Sequence, residues 1–122
     1  MVEDRWKKLD VWKLGDELAY NVYLVSKGFP KEERYGLTSQ VRRSALSIPT
    51  NIVEGYSRRG DKELANFINI SLGSLAETKY LLHFANRLGY VLDDSYSNLV
   101  EGYGKLGQRL WAFYQKILNH KC

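Results

Sequence analysis

A chain of 122 residues is long enough for one continuous core and too short for two, so a single domain over residues 1–122 is expected. Its 44% hydrophobic and 26% charged residues give a globular balance, and two prolines without a low-complexity tract exclude a largely disordered chain. The formal charge of +4 is modest but concentrated: residues 31–60 hold six Lys and Arg against three Asp and Glu, whereas residues 1–30 and 61–90 each balance.

The single cysteine, Cys122, rules out an internal disulfide and a Cys-rich metal motif, which fits a reducing cytoplasm. The first residues, MVEDRWKKLDVWKLGDELA, mix both signs of charge and lack the apolar run of a signal peptide or anchor. No stretch approaches a transmembrane span, so a cytoplasmic protein without membrane contact is expected.

In chain order, Val11, Leu14, Leu18, Val22, Val25 and Phe29 step by three and four, the spacing of one helical face. Asp10 is the expected N-cap of this first helix, and Gly28 with Pro30 stops it. Trp12, Ala19 and Tyr23 lie off the stripe and suggest a second covered face. A short polar link, Lys31 to Tyr35, leads to a second stripe of Leu37, Val41, Ala45, Ile48, Ile52 and Tyr56. That stripe keeps its phase through Pro49. The second helix is therefore expected to be continuous and kinked at Pro49, since proline lacks the amide that would bond the Ala45 carbonyl. Ser44, Ser47 and Asn51 either satisfy the freed backbone groups or line a binding notch, and the first is the simpler reading.

Gly55 and Gly60 bracket Tyr56, Ser57, Arg58 and Arg59, and Asp61 is the expected cap of a third helix over Lys62 to Leu88. That helix carries two heptad series. Leu64, Ile68, Ser71, Leu75, Thr78, Leu82 and Ala85 form the first; Phe67, Ile70, Ser74, Glu77, Leu81, Phe84 and Leu88 form the second. One broad apolar face suffices for a helical monomer, so the surplus points to burial against another subunit. Gly89 ends the third helix and Asp93 is expected to cap the fourth. There Tyr96, Leu99, Tyr103, Leu106, Leu110, Phe113 and Ile117 make one series, and Val100, Gly104, Gly107, Trp111, Tyr114 and Leu118 a second. Gly102, Gly104 and Gly107 each cost a helix about 1 kcal/mol relative to alanine, so they read as points of close helix approach. The fold class is all-α with four helices.

Several motifs fail on context. Gly102 to Gly107 matches the G-x-G-x-x-G dinucleotide fingerprint, but it falls inside a helical pattern with no preceding strand. Arg59-Gly60-Asp61 and the sequon Asn69-Ile70-Ser71 lack an export signal, and the sequon is mid-helix. His83 and His120 have no metal-ligand spacing, and no nucleophile elbow exists. No catalytic residue, cofactor site or metal site is expected, and the chain reads as no enzyme.

Glu54 and Glu77 are the acids nearest the apolar stripes, with Arg42, Arg43 or Arg87 as expected counter-charges; a structural ion pair is favoured over a catalytic carboxylate. The remaining candidate is the basic set Arg42, Arg43, Arg58, Arg59 and Lys62. Arginine forks match phosphate oxygens, and Tyr56 beside Arg58 offers a face for an unpaired base. In a ring of identical subunits such a patch repeats and its field adds.

Three blocks, LDVWKLGDELA at 9–19, FPKEERYGLTSQVRRSALSIPTNIVEGYSRRG at 29–60 and FINISLGSLAET at 67–78, carry a resemblance over nearly the whole chain. The chain resembles the four-helix-bundle family named for proteins encoded in intervening sequences of bacterial 23S ribosomal RNA. Its signature is the core Ser47 to Tyr56, with Ser47, Pro49, Asn51, Glu54 and Gly55, and Glu77 lies in the third block. The resemblance implies an antiparallel up-down-up-down four-helix bundle that assembles as a homopentamer, with no enzymatic activity. Relatives of that family include accessory proteins of diversity-generating retroelements, which bind nucleic acid and a reverse transcriptase through a basic surface. Two functions follow: binding of RNA or single-stranded nucleic acid through a repeated basic surface, or a protein-interaction scaffold, for a partner such as a reverse transcriptase, with the arginines in structural ion pairs.

Overall fold

The structure is a computed structural model that describes residues 4–119, so the expectations placed on His120 and Cys122 lie outside the described residues. Four long helices, α1 (Asp10–Ser26), α2 (Leu37–Ser57), α3 (Asp61–Arg87) and α4 (Asp93–Asn119), account for most of it, and no strand occurs among the described residues. Each helix packs on its neighbours in the chain and α4 also packs on α1, an arrangement consistent with a four-helix bundle. The apolar stripes form the core: Val11, Leu18 and Val22 meet Val41, Ala45, Ile48 and Ile52 of α2, with Ile68, Leu75 and Leu82 from α3 and Leu99, Leu106 and Leu110 from α4.

Turn chemistry explains where the helices end. Gly60 and Gly89 have φ of +94° and +80°, a left-handed region that other residues enter at a cost, and they precede α3 and follow α3 respectively. The expected caps are corrected. Asp10 and Asp61 are the first residues of α1 and α3, and the N-cap positions fall to Leu9 and Gly60 without a side-chain capping bond. Both aspartates instead place a carboxylate in the first turn, where the positive end of the helix favours it. Asp93 likewise opens α4 from inside, its Oδ1 accepting from Asn86 Nδ2 at 2.9 Å.

Two short 3-10 turns lack a sequence signal, Arg5–Lys8 before α1 and Lys31–Glu33 where only a polar link is expected. The second has a clear anchor: Glu33 Oε1 accepts the Leu37 amide at 3.1 Å, and its Oε2 accepts the Tyr90 hydroxyl at 3.2 Å. Partial burial and that carboxylate hold the Tyr90 phenol above its usual pKa.

Pro49 is buried inside α2, which is helical without a break from Leu37 to Ser57. Gly15 of α1 faces it closely, since a β-carbon there would sit 3.7 Å from Pro49 Cβ. The small polar residues around Pro49 do not serve the freed Ala45 carbonyl. They bond elsewhere: Ser44 Oγ donates to the Val41 carbonyl at 3.2 Å, and Asn51 Nδ2 to the Ser47 carbonyl at 2.8 Å. The rest is a polar seam to α3. Ser47 Oγ lies 2.9 Å from Ser74 Oγ, Thr78 Oγ1 lies 2.9 Å from Ser44 Oγ, and Ser71 Oγ donates to the Ile48 carbonyl at 2.9 Å. Their residues are buried or half-buried, so each hydroxyl needs such a partner to avoid a desolvation cost of about 1–3 kcal/mol. Among the described residues one buried side-chain atom lacks a partner, the Tyr103 hydroxyl, and burial pushes that phenol's pKa up.

Glycine lets the same two helices touch at their joined ends. A β-carbon on Gly55 would lie 2.7 Å from Phe67 Cβ, an atom that cannot move without its backbone. Gly102 and Gly107 pack against Leu18 and Leu75, as close approach predicts, whereas Gly104 has nothing within 4 Å of where a β-carbon would stand. Gly55→Ala should therefore cost about 1–3 kcal/mol, about 4 °C of melting temperature per kcal/mol in a chain of this size. Gly73→Ala, in the same helical pair but with open space, should instead raise the midpoint by up to about 1 kcal/mol equivalent. Thermal unfolding followed by circular dichroism checks both.

Candidate nucleic-acid interface

The expected basic set splits into two groups. Tyr56, Arg58, Arg59 and Lys62 gather around the turn joining α2 to α3, while Arg42 and Arg43 sit in the first half of α2. Sixteen residues separate Arg42 from Arg58, about 24 Å at a helical rise of 1.5 Å per residue.

At the turn, each side chain has its own surroundings. Arg58 approaches Glu54 Oε2 at 3.6 Å, one helical turn back, and lies over the Phe67 ring at 5.2 Å. Both partners of that pair are about half exposed, so its attraction is screened and contributes little. Arg59 and Lys62 are exposed, and no carboxylate lies within ion-pair distance of either among the described residues. Tyr56 is half-buried, and Arg5 from the first 3-10 turn stacks on its ring at 5.8 Å. Sequence reasoning missed Arg5, because nothing in residues 4–8 marks that segment as folding back onto α2. The turn also carries acids, Glu54, Asp61 and Glu63, so its field is mixed.

Arg42 belongs elsewhere. Its Nε donates to Ser26 Oγ at 2.7 Å, a terminal nitrogen donates to the Tyr23 carbonyl at 3.3 Å, and the guanidinium covers the Tyr23 ring at 4.9 Å. It ties α2 to the end of α1, with its partners in the off-stripe residue Tyr23 and in Ser26. Arg43, the next residue of α2, is exposed. The expected carboxylate partners are corrected as well: Glu54 pairs with Arg58 and with neither Arg42, Arg43 nor Arg87, and Glu77 is exposed with no ion pair among the described residues. Of the signature residues, Ser47, Pro49, Asn51 and Gly55 face inward on the α1 or α2–α3 contacts, and Glu54 faces solvent.

No group of three or more His, Cys, Asp or Glu side chains could hold a metal ion among the described residues, and no helix there is long and apolar enough to cross a membrane. Helix α3 connects the basic turn to an unburied apolar face. Its first heptad series is buried from Ile68 to Ala85, and Leu81 of the second joins the same core. Ile70, Phe84 and Leu88 of the second series stay 51%, 38% and 45% exposed, with Tyr80 beside them at 61%. On α4, Trp111 and Leu118 are similarly open.

A model of the 23S rRNA-intervening sequence protein family matches residues 7–112. The chain belongs to that family. The match takes in all of the first three helices and most of the fourth, and with them every candidate residue of the basic set and the polar seam. A solved structure, of a protein with unknown function from the S23 ribosomal protein family of Bacteroides thetaiotaomicron VPI-5482, superposes with a TM-score of 0.79 at 23% identity, covering 85% of this chain and 97% of that one. That likeness establishes a shared fold. No curated protein matches the sequence of this family member.

The two groups of arginines should separate by stability. Arg42→Ala removes a charged donor from two acceptors and should destabilise by about 1–3 kcal/mol, whereas Arg59→Ala should stay within about 0.5 kcal/mol of the parent. Urea unfolding of the two variants gives both values.

Proposed function

We propose that this chain is a non-enzymatic, self-associating helical protein that presents the α2–α3 turn, repeated around an oligomer, to RNA or single-stranded nucleic acid in the cytoplasm. One observation carries the reading. Arg59 and Lys62, exposed and without a carboxylate partner among the described residues, flank the start of the same helix whose outer face leaves Ile70, Tyr80, Phe84 and Leu88 in solvent. Association through that face brings several copies of the turn together, and their positive potential adds. The family resemblance supplies the number, five subunits.

The bundle is read as up-down-up-down, with α2 bent at Pro49. Support comes from the cross-links. Ser44, Ser47 and Ile48 meet Thr78, Ser74 and Ser71, so one helix ascends as the other descends. Gly15 lies by Ile48 while Tyr23 and Ser26 lie by Arg42, and Gly15 lies by Leu106 while Leu18 lies by Gly102, contacts that support an antiparallel α1 against both α2 and α4. The bend follows from the proline ring's clash with the preceding turn and its missing amide.

A second reading, a protein-interaction scaffold, is favoured by the acids around the turn and by the arginines already engaged, Arg42 with α1 and Arg58 with Glu54. Fluorescence anisotropy with a labelled RNA hairpin distinguishes the two. Binding through phosphate contacts should weaken steeply between about 50 and 200 mM salt, and Arg58→Ala with Arg59→Ala should abolish it. Absence of binding at the lower salt, or binding indifferent to both changes, leaves the scaffold.

Self-association has its own measurement. Light scattering on a sizing column should give about five times the 14.1 kDa of one chain, and Tyr80→Glu with Phe84→Glu should reduce it to a single chain with helical content retained. A parent protein that elutes at the mass of one chain refutes the oligomer.

A further inference from the structure

Where α1 ends and α2 begins, the chain folds four cations around one hollow. Gly28, Phe29 and Pro30 turn the chain out of α1, and the 3-10 turn Lys31–Glu33 brings it back onto the first turns of α2. The hollow that results has a volume of about 330 Å³ and is lined by Ser26, Lys27, Lys31, Arg34, Thr38 and Arg42 over the buried Phe29 ring. No acidic side chain lines it. Of the two acids beside it in sequence, Glu33 is occupied by the Leu37 amide and the Tyr90 hydroxyl, and Glu32 is exposed on the same 3-10 turn without lining the hollow.

Arg42 gives this corner its character. Its guanidinium is held from behind by the Ser26 hydroxyl, the Tyr23 carbonyl and the Tyr23 ring, which leaves its other terminal nitrogen without a partner among the described residues. The residue is half-buried and no carboxylate lies within 4 Å of it among the described residues. A cation drawn partly out of water is ordinarily matched by an anion. Ser26 and Thr38 are 3% and 9% exposed; among the described residues no hydrogen bond engages the Thr38 hydroxyl, whose oxygen, unlike that of Tyr103, is not shut off from solvent, so it is available as a neutral donor on the hollow's wall.

We propose that this corner is a binding site for a phosphate group. A preorganised guanidinium with one unengaged terminal nitrogen, two lysines, a second arginine and a hydroxyl suit the oxygens of a phosphate dianion, and the volume falls at the small end of ligand pockets. The site lies at the far end of α2 from the Arg58–Arg59 turn and does not depend on the nucleic-acid reading.

The test is a titration of the full chain at constant low ionic strength, with amide shifts followed by NMR. Inorganic phosphate should bind saturably and move residues 26–42, and Lys31→Gln with Arg34→Gln, both exposed, should weaken it by about tenfold or more without changing thermal unfolding. Arg58→Ala with Arg59→Ala should leave phosphate affinity unchanged, which keeps failure at one end distinct from failure at the other. Adenosine 5′-monophosphate should compete where adenosine does not. An oligonucleotide without terminal phosphates that also competes assigns the ligand to a nucleic-acid backbone, and one that does not assigns it to a free phosphomonoester. Shifts that do not saturate, or an affinity that survives the Lys31 and Arg34 changes, overturn the site.

Discussion

The contact on which this structure most depends is the seam between α2 and α3. A helix with an internal proline gives up one backbone hydrogen bond and a stretch of regular geometry, roughly 3 kcal/mol in an ordinary helix. Here α2 is stitched to its partner by three side-chain links, Ser44 to Thr78, Ser47 to Ser74 and Ser71 to the Ile48 carbonyl, and it closes on α3 at Gly55. Each link contributes about 0.5–1.5 kcal/mol, comparable in sum with the proline's cost. Hydroxyls also fix register in a way that leucines do not, because a shift by one turn would leave several of them unpaired in the core. The candidate turn at Tyr56 to Lys62 is positioned by this seam, since it is the connection that follows directly from it.

Helix phase was legible in the sequence because it is written in many residues at once. The stripes from Val11 to Phe29 and from Leu37 to Ile52 name most of the buried aliphatic residues of α1 and α2, though not the small and polar inward positions such as Gly15, Ser26, Thr38 and Ser44, and the stops at Gly60 and Gly89 follow from a backbone angle that glycine adopts freely. Caps were read less well. An aspartate at the N-cap and an aspartate at the first helical position are one residue apart and both favourable, so Asp10 and Asp61 could not be assigned from composition alone. The polar seam announced itself by Ser71, Ser74 and Thr78 falling in heptad positions, yet the partners of each hydroxyl required three dimensions.

Charge was the least legible property, and Arg42 illustrates why. Adjacent arginines on a helix point about 100° apart, so Arg42 and Arg43 cannot share one surroundings. One lies against Ser26 and Tyr23, sixteen and nineteen residues away in sequence, and the other faces solvent. Such long-range partners leave no local pattern. The i to i+4 pair of Glu54 and Arg58 does leave one, and that spacing was the better guide to Glu54's partner than proximity to an apolar stripe.

The division of the cations bears on how any polyanion would lie on the molecule. Clusters about 24 Å apart along α2 are separated by more than two Debye lengths at physiological salt, so each acts on its own counter-ion and neither reinforces the other through solvent. The α2–α3 turn is open, Arg58 is already paired with Glu54, and Asp61 and Glu63 lie close by in sequence, which makes it weak as a single copy and dependent on repetition for strength. The α1–α2 corner is concave, free of lining acids and built on an arginine whose orientation is already fixed, so it loses little conformational entropy on engaging an anion. One surface needs neighbours to become a site. The other is complete within one chain, and that difference follows from where the backbone turns: a glycine-bounded tip that projects its side chains outward, against a proline-bounded return that folds them around a hollow.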